Sequence, residues 1–130
     1  MEKIDEVIYN ENLHFEHRNW ISELHFWKDE LKTFNNRLSE LVTRYTNAEV
    51  LKQLEHHQNQ FALHKGIIDD LEETIEKHEA RIAGQSKTGK EALDVSMAKN
   101  HIAFREKMQT QRNIYNDEKK AFFKFLGKYM

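Results

Sequence analysis

The feature that most constrains this chain is a set of ten positions between Leu13 and Tyr45, spaced alternately four and three residues apart. All of them are apolar except His17. Such a 3.5-residue repeat predicts an α-helix that packs against other helices along its whole length. At about 1.5 Å per residue, this helix is roughly 50 Å long. The ten positions are Leu13, His17, Trp20, Leu24, Trp27, Leu31, Phe34, Leu38, Leu41 and Tyr45.

The same spacing recurs twice, over 50–82 and over 97–129, and we call each such set of positions a seam. In the third seam the polar Gln111 and Glu118 interrupt the apolar positions. Short links between long helices make consecutive helices antiparallel. The sequence therefore predicts an all-α, up-down-up bundle of three long helices with coiled-coil-like seams. The predicted helices are 12–45, 47–83 and 89–127.

Local signals support these boundaries. Thr46 and Glu49 have the spacing of a capping box at the start of the second helix. Gly84 is a suitable C-terminal cap for that helix, and 85–89 has the composition of a loop. Residues 1–11 are predicted to form an N-terminal arm or short helix, so that the bundle itself occupies residues 12–130.

Composition narrows the function classes. The chain of 130 residues has no proline, four glycines and no cysteine, which disfavours a β-rich fold and removes disulfides and thiolate metal sites. Its net charge of −2 gives no global attraction to nucleic acid, which we do not expect as a partner. We recognise neither an N-terminal signal pattern nor an uninterrupted apolar stretch long enough for a membrane span. These observations predict a soluble, cytoplasmic protein.

Some apolar residues lie off the strict seams, and Phe26 and Phe123 are the hardest to place inside a three-helix core. Surplus apolar surface often marks a contact face. A monomer and a dimer of bundles both accommodate the pattern, and we favour a homodimer or a helical protein partner. No phosphate-binding loop or nucleophile motif is present. The leading hypothesis is a non-enzymatic scaffold, adaptor or regulator that acts through protein–protein contacts.

Histidine is unusually frequent, with eight copies, five of them on seams. If 45 and 50 close the first turn, residues of the first two helices face each other when their numbers sum to about 95. His17 then faces His78, and His78 faces a position between Ala98 and His101. Three histidines from three helices are thus predicted to share one layer, or two adjacent layers, near one end of the bundle.

Imidazoles that converge from different helices beside a carboxylate are typical ligands of zinc, nickel, copper or non-haem iron. The alternative hypothesis is therefore a metal-binding bundle, for zinc or iron, with redox or hydrolytic activity. The candidate ligands are His17, His78, His101, His14 and Glu79. His57 and His64 are interpreted as structural seam residues, and His25 and His56 as surface residues.

Charged residues beside the seams predict ion pairs between helices. Arg105 and Arg112 flank the third seam, and Glu72 and Glu79 flank the second. We expect these arginines and glutamates to pair with each other.

Overall fold

The structure is a computed structural model that describes the backbone of residues 10–87 and 95–129 and the side chains of 12–84 and 96–129. Residues 1–9 of the predicted N-terminal arm therefore lie outside the described residues. Three α-helices make up the fold, and no strand occurs in the described ranges. They are α1 (Asn10–Val42), α2 (Ala48–Lys87) and α3 (Val95–Tyr129).

The link between α1 and α2 is short, as predicted, but its cap differs from the predicted one. The Oδ1 atom of Asn47 accepts hydrogen bonds from the backbone N–H groups of Glu49, at 2.8 Å, and Val50, at 3.2 Å. Asn47 is thus the N-cap, and the capping box that starts at Thr46 is wrong by one residue. Both residue types cap helices well, and the geometry of the turn after Val42 selects between them.

The C-terminal end of α2 also differs from the prediction. The helix continues past Gly84 to Lys87, so Gly84 does not end it. Gly84 keeps a right-handed helical backbone, and a side chain at this position would meet nothing within 4 Å. Glycine lowers helix propensity by about 1 kcal/mol, which does not stop a helix of 40 residues. The remainder of the predicted loop, 88–89, lies outside the described residues.

Contacts between side chains fix the directions of the three helices. Lys28 on α1 pairs with Glu72 on α2 at 2.9 Å, and His14 pairs with Glu79 at 2.8 Å. Residue numbers rise on α1 as they fall on α2, so these two helices are antiparallel. Glu16 pairs with Arg105 and Glu23 pairs with Arg112, so residue numbers rise together on α1 and α3 and these two helices are parallel. The all-α, up-down-up bundle is therefore confirmed.

The seam residues form the core, and the side chains between α1 and α2 differ from those that fill the space next to α3. α1 packs closely against α2, whereas the backbone of α3 stands further off. Bulky rings fill this wider space: Trp20 meets Phe104 at 5.2 Å between ring centroids, and Phe34 meets Phe122 at 5.0 Å. Each fully buried aromatic or leucine side chain contributes about 1.5–3 kcal/mol of apolar transfer free energy.

Histidines of α2 complete these aromatic pairs. His78 lies against Phe104, and His57 lies against Phe122. Between them, His64 stacks on Tyr115, with ring centroids 4.6 Å apart and planes inclined by 10°. Each of three layers thus combines a ring from α1, a ring from α3 and a histidine from α2.

The predicted ion pairs between α2 and α3 are wrong, because the arginines of α3 face α1. Three pairs join α1 to α3, each with a sequence separation of 89 residues. On two parallel helices, adding seven residues to both members of a contacting pair gives the next contacting pair. The difference between the two residue numbers therefore stays constant from one pair to the next. We call these pairs the α1–α3 ladder, and they are Glu16–Arg105, Glu23–Arg112 and Glu30–Lys119.

Candidate functional site

One end of the bundle brings three histidines together, each from a different helix. The ring centroids of His17 and His101 are 5.2 Å apart, and those of His17 and His78 are 5.9 Å apart. His17 and His101 are buried, each with 1% relative exposure, while His78 is half-buried. We call these three residues the histidine layer. The layer rests on Trp20, which stacks on the ring of His101 at 5.1 Å.

Glu79 links two histidines on the α1–α2 side of this layer. Its Oε2 atom lies 2.6 Å from Nδ1 of His17, and its Oε1 atom lies 2.8 Å from Nδ1 of His14. Partial burial raises the pKa of Glu79, but the hydrogen bonds from His17 and His14 outweigh this effect and the pKa lies below its usual value. Glu79 is therefore an ionised acceptor at neutral pH, and the Nδ1 atom of His17 donates to it.

Glu16 plays the same part on the α1–α3 side. Its Oε1 atom lies 2.6 Å from Nε2 of His101, and both of its oxygens accept hydrogen bonds from Arg105 at 2.9 Å. Burial raises the pKa of Glu16, but the bonds from Arg105 and His101 together bring it below its usual value. The ring of His101 thus donates from Nε2 to a carboxylate that the arginine holds in place.

These two carboxylates determine which ring nitrogens remain free. Nε2 of His17 and Nδ1 of His101 are both buried and have no hydrogen-bond partner. In a neutral imidazole whose other nitrogen donates, the free nitrogen carries a lone pair. Neither ring nitrogen of His78 has a hydrogen bond to another described residue, and the ring of His78 packs against the rings of His17 and Phe104.

The pKa values of His78 and His101 lie below the usual value for histidine, which favours the neutral imidazole. Burial lowers the pKa of His78, and the nearby His17, His101 and Arg81 lower it further. Burial also lowers the pKa of His101, against the opposing effect of Glu16. Beside these rings lies a cavity of about 10 Å³, close to the smallest volume that holds one water molecule. It is lined by Leu13, His78, Arg81, Ile82, Met97, Asn100 and His101.

The sequence-predicted ligands are therefore neighbours, but in two different relations. His17, His78 and His101 form the layer, whereas His14 and Glu79 lie at its edge and contact each other. Among the described side chains, no group of three histidines, aspartates or glutamates is arranged so that it holds a metal ion as it stands. Metal binding by these five residues stays a prediction.

Sequence reasoning missed Glu16, Trp20 and Arg105 as parts of this site. A signal for Glu16 is present in the sequence. Acidic residues recur every seven positions on α1 and basic residues recur every seven positions on α3, as expected for ion pairs between two parallel helices. Trp20 was assigned to the core seam, where it also lies. That its ring stacks on His101 follows from the distance between α1 and α3, which the sequence does not contain.

The other histidines occupy the environments expected for them. His57 and His64 are buried among aromatic rings, and burial lowers the pKa of His64 to about 4. His56 and His25 are exposed, although Nε2 of His25 lies 2.9 Å from a carboxylate oxygen of Glu72. These four residues contribute nothing to the histidine layer.

No protein-family model, curated protein or solved structure matches this chain. Within the described helices, none has an apolar stretch sufficient to cross a lipid bilayer.

Proposed function

We propose that this protein is a non-enzymatic helical bundle that acts through protein–protein contacts, as a scaffold, adaptor or regulator, and that its first partner is a second copy of itself. The observation that carries the proposal is a pair of exposed phenylalanines on one side of the bundle. Phe26 is 57% exposed and Phe123 is 50% exposed. A cytoplasmic location of the protein is part of the same proposal.

The two phenylalanines lie on either side of one ion pair. Nζ of Lys119 lies 6.0 Å from the ring centroid of Phe26 and bonds to Glu30 at 3.0 Å. Phe123 follows Lys119 by one helical turn and therefore neighbours it on the surface of α3. Its ring also meets Phe34 edge-on at 5.5 Å. We call the surface formed by Phe26, Glu30, Lys119 and Phe123 the phenylalanine face.

This face suits a two-fold interface. Such an interface brings one patch against its own copy, so a patch that carries both charges complements itself. Lys119 of one copy then lies near Glu30 of the other, while the phenylalanine rings become buried. Aromatic residues supply much of the binding free energy at interfaces of this kind.

The test is the mass in solution, measured by light scattering and sedimentation equilibrium over a range that includes tens of micromolar. We expect a dimer whose melting temperature rises with protein concentration. The double substitution Phe26→Glu and Phe123→Glu should give a folded monomer. Leu63→Glu is the matched control, since Leu63 is 68% exposed and lies on α2, whereas the phenylalanine face is formed by α1 and α3, so this substitution should leave the dimer intact. A monomeric mass for the unsubstituted protein throughout this range would overturn the proposal.

A further inference from the structure

We propose that His17, His78 and His101 bind one divalent transition-metal ion of the zinc class, with Glu79 and Glu16 as outer carboxylates that orient the rings. This proposal is independent of the phenylalanine face. It starts from the buried nitrogens Nε2 of His17 and Nδ1 of His101, which have no hydrogen-bond partner. Leaving a buried polar atom unpaired is unfavourable, and here two such atoms lie on adjacent rings.

The spacing of the His17 and His101 rings matches that of two ligands around a tetrahedral ion. A zinc–nitrogen bond is about 2.0–2.1 Å long, and a ring nitrogen lies about 1.1 Å from its ring centroid, so ligand centroids lie about 3.2 Å from the ion. Two such centroids at a tetrahedral angle are therefore about 5.2 Å apart. The observed separation is 5.2 Å for His17–His101, which matches this value, and 5.9 Å for His17–His78, which is wider.

The arrangement of the carboxylates also matches that of metal sites. A histidine that ligates a metal usually donates its other ring N–H to a carboxylate or carbonyl, which fixes the tautomer and the orientation of the ring. His17 donates to Glu79 and His101 donates to Glu16, each at 2.6 Å. Both rings therefore present a lone pair on the free nitrogen, and Arg105 holds Glu16 on the far side of the ring.

One ring has to move to complete the site, since the described side chains do not yet surround a common point. His78 is the ring that can do so, because it is half-buried and forms no hydrogen bond to another described residue. The adjoining cavity, lined in part by His78 and His101, leaves room for a water molecule at the fourth position. Imidazole ligands suit zinc, copper, iron and nickel.

The experiment uses the fluorescence of Trp20, whose ring lies 5.1 Å from that of His101. In a Trp27→Phe variant Trp20 is the sole tryptophan, and Cu²⁺ bound at the histidine layer should quench it at one ion per chain. In the reciprocal Trp20→Phe variant, the signal of Trp27 should change far less. Zn²⁺, which does not quench, should compete with Cu²⁺ and raise the melting temperature.

Substitutions then test the ligands. We expect His17→Gln and His101→Gln to weaken Zn²⁺ binding at least 100-fold in calorimetry, and Glu79→Gln to weaken it about 10-fold. His64→Gln is the matched control, because His64 is equally buried but lies in another layer, and it should leave the affinity unchanged. Where a variant does not fold, ¹⁵N spectra of histidine side chains in the unsubstituted protein, with and without Zn²⁺, replace it.

In those spectra the signals of Nε2 of His17 and Nδ1 of His101 should shift to the values of metal-bound nitrogen. The proposal is overturned if Zn²⁺ and Cu²⁺ do not bind at all. It is equally overturned if they bind with the same affinity in His17→Gln and in the unsubstituted protein, which would place the ion at surface histidines such as His25 and His56.

Discussion

The histidine layer and the layer around His64 use the same residue type in opposite ways. In the histidine layer, His17 and His101 each donate to a carboxylate, supplied by α2 and α1 respectively. In the second layer, which we call the middle layer and define as Trp27, His64 and Tyr115, neither nitrogen of His64 has a partner. The hydroxyl of Tyr115 donates instead to Glu30 at 2.9 Å.

The difference shows that the neighbouring side chains determine whether a seam histidine can act as a ligand or serves only in packing. A carboxylate beside the histidine layer fixes a tautomer and leaves one lone pair directed into the protein. A histidine enclosed by aromatic rings packs as a neutral ring, and both of its nitrogens are removed from water without hydrogen-bond partners. The first arrangement suits a ligand, whereas the second costs free energy of folding and suits packing.

The largest expected effect comes from removing the aromatic wall of the middle layer. Trp27 contacts His64 at 5.6 Å and Tyr115 at 5.1 Å, and it is 4% exposed. Trp27→Ala should lower the free energy of unfolding by about 3–5 kcal/mol, because it removes a large buried side chain and leaves a cavity in the layer. Urea denaturation measures this loss. Phe15→Ala, at an exposed position, is the control and should cost much less.

A pair of identical substitutions tests the comparison directly. His64→Leu removes two unpaired buried nitrogens and should raise the free energy of unfolding by about 1 kcal/mol. His17→Leu removes the partner of Glu79 and should lower it by about 1–3 kcal/mol. Both values come from urea denaturation at neutral pH without metal. Equal effects of one sign would show that the two layers do not differ in the way described.

His64 and Glu118 should make opposite contributions to the pH dependence of the free energy of unfolding. Burial lowers the pKa of His64 to about 4, so its contribution is present above about 6.5 and is lost as pH falls towards 4. Burial raises the pKa of Glu118 to about 7, so its contribution is present below about 4.5 and is lost as pH rises through 7. Between pH 5 and 7 these contributions oppose each other.

Glu118→Gln removes one side of this balance. The variant should lose about 1–2 kcal/mol more than the unsubstituted protein between pH 7 and pH 5, because only the histidine contribution remains. Urea denaturation at the two pH values measures the difference. Parallel pH profiles for the two proteins would contradict the opposed titrations.

The smallest effect concerns the α1–α3 ladder. Arg105→Met should lower the free energy of unfolding by less than about 1 kcal/mol, and high salt should reduce that loss. Arg105 also lowers the pKa of His101, so its removal should raise that pKa in an NMR titration. His64 serves as the internal reference and should not respond. A response of both histidines would mean that the substitution disturbs the whole bundle.

The sequence alone determined the class of fold, because three seams in register can be buried only against each other. It also predicted that His17, His78 and His101 lie at similar heights, since height depends only on residue counts from the turns. The capping residue of α2 and its C-terminal end were not determined, because Thr46 and Asn47 are both favourable capping residues and a glycine does not by itself end a helix.

Only the tertiary structure decided which faces meet. That Arg105 pairs with Glu16 on α1, and not with an acid on α2, depends on the rotation of α3 about its own axis. The same rotation places Glu16 on His101 and Trp20 beneath it, and so leaves particular nitrogen atoms without partners. A heptad pattern defines the stripe that each helix buries, but relative rotation and separation follow from the packing of specific rings, which a one-dimensional repeat does not specify.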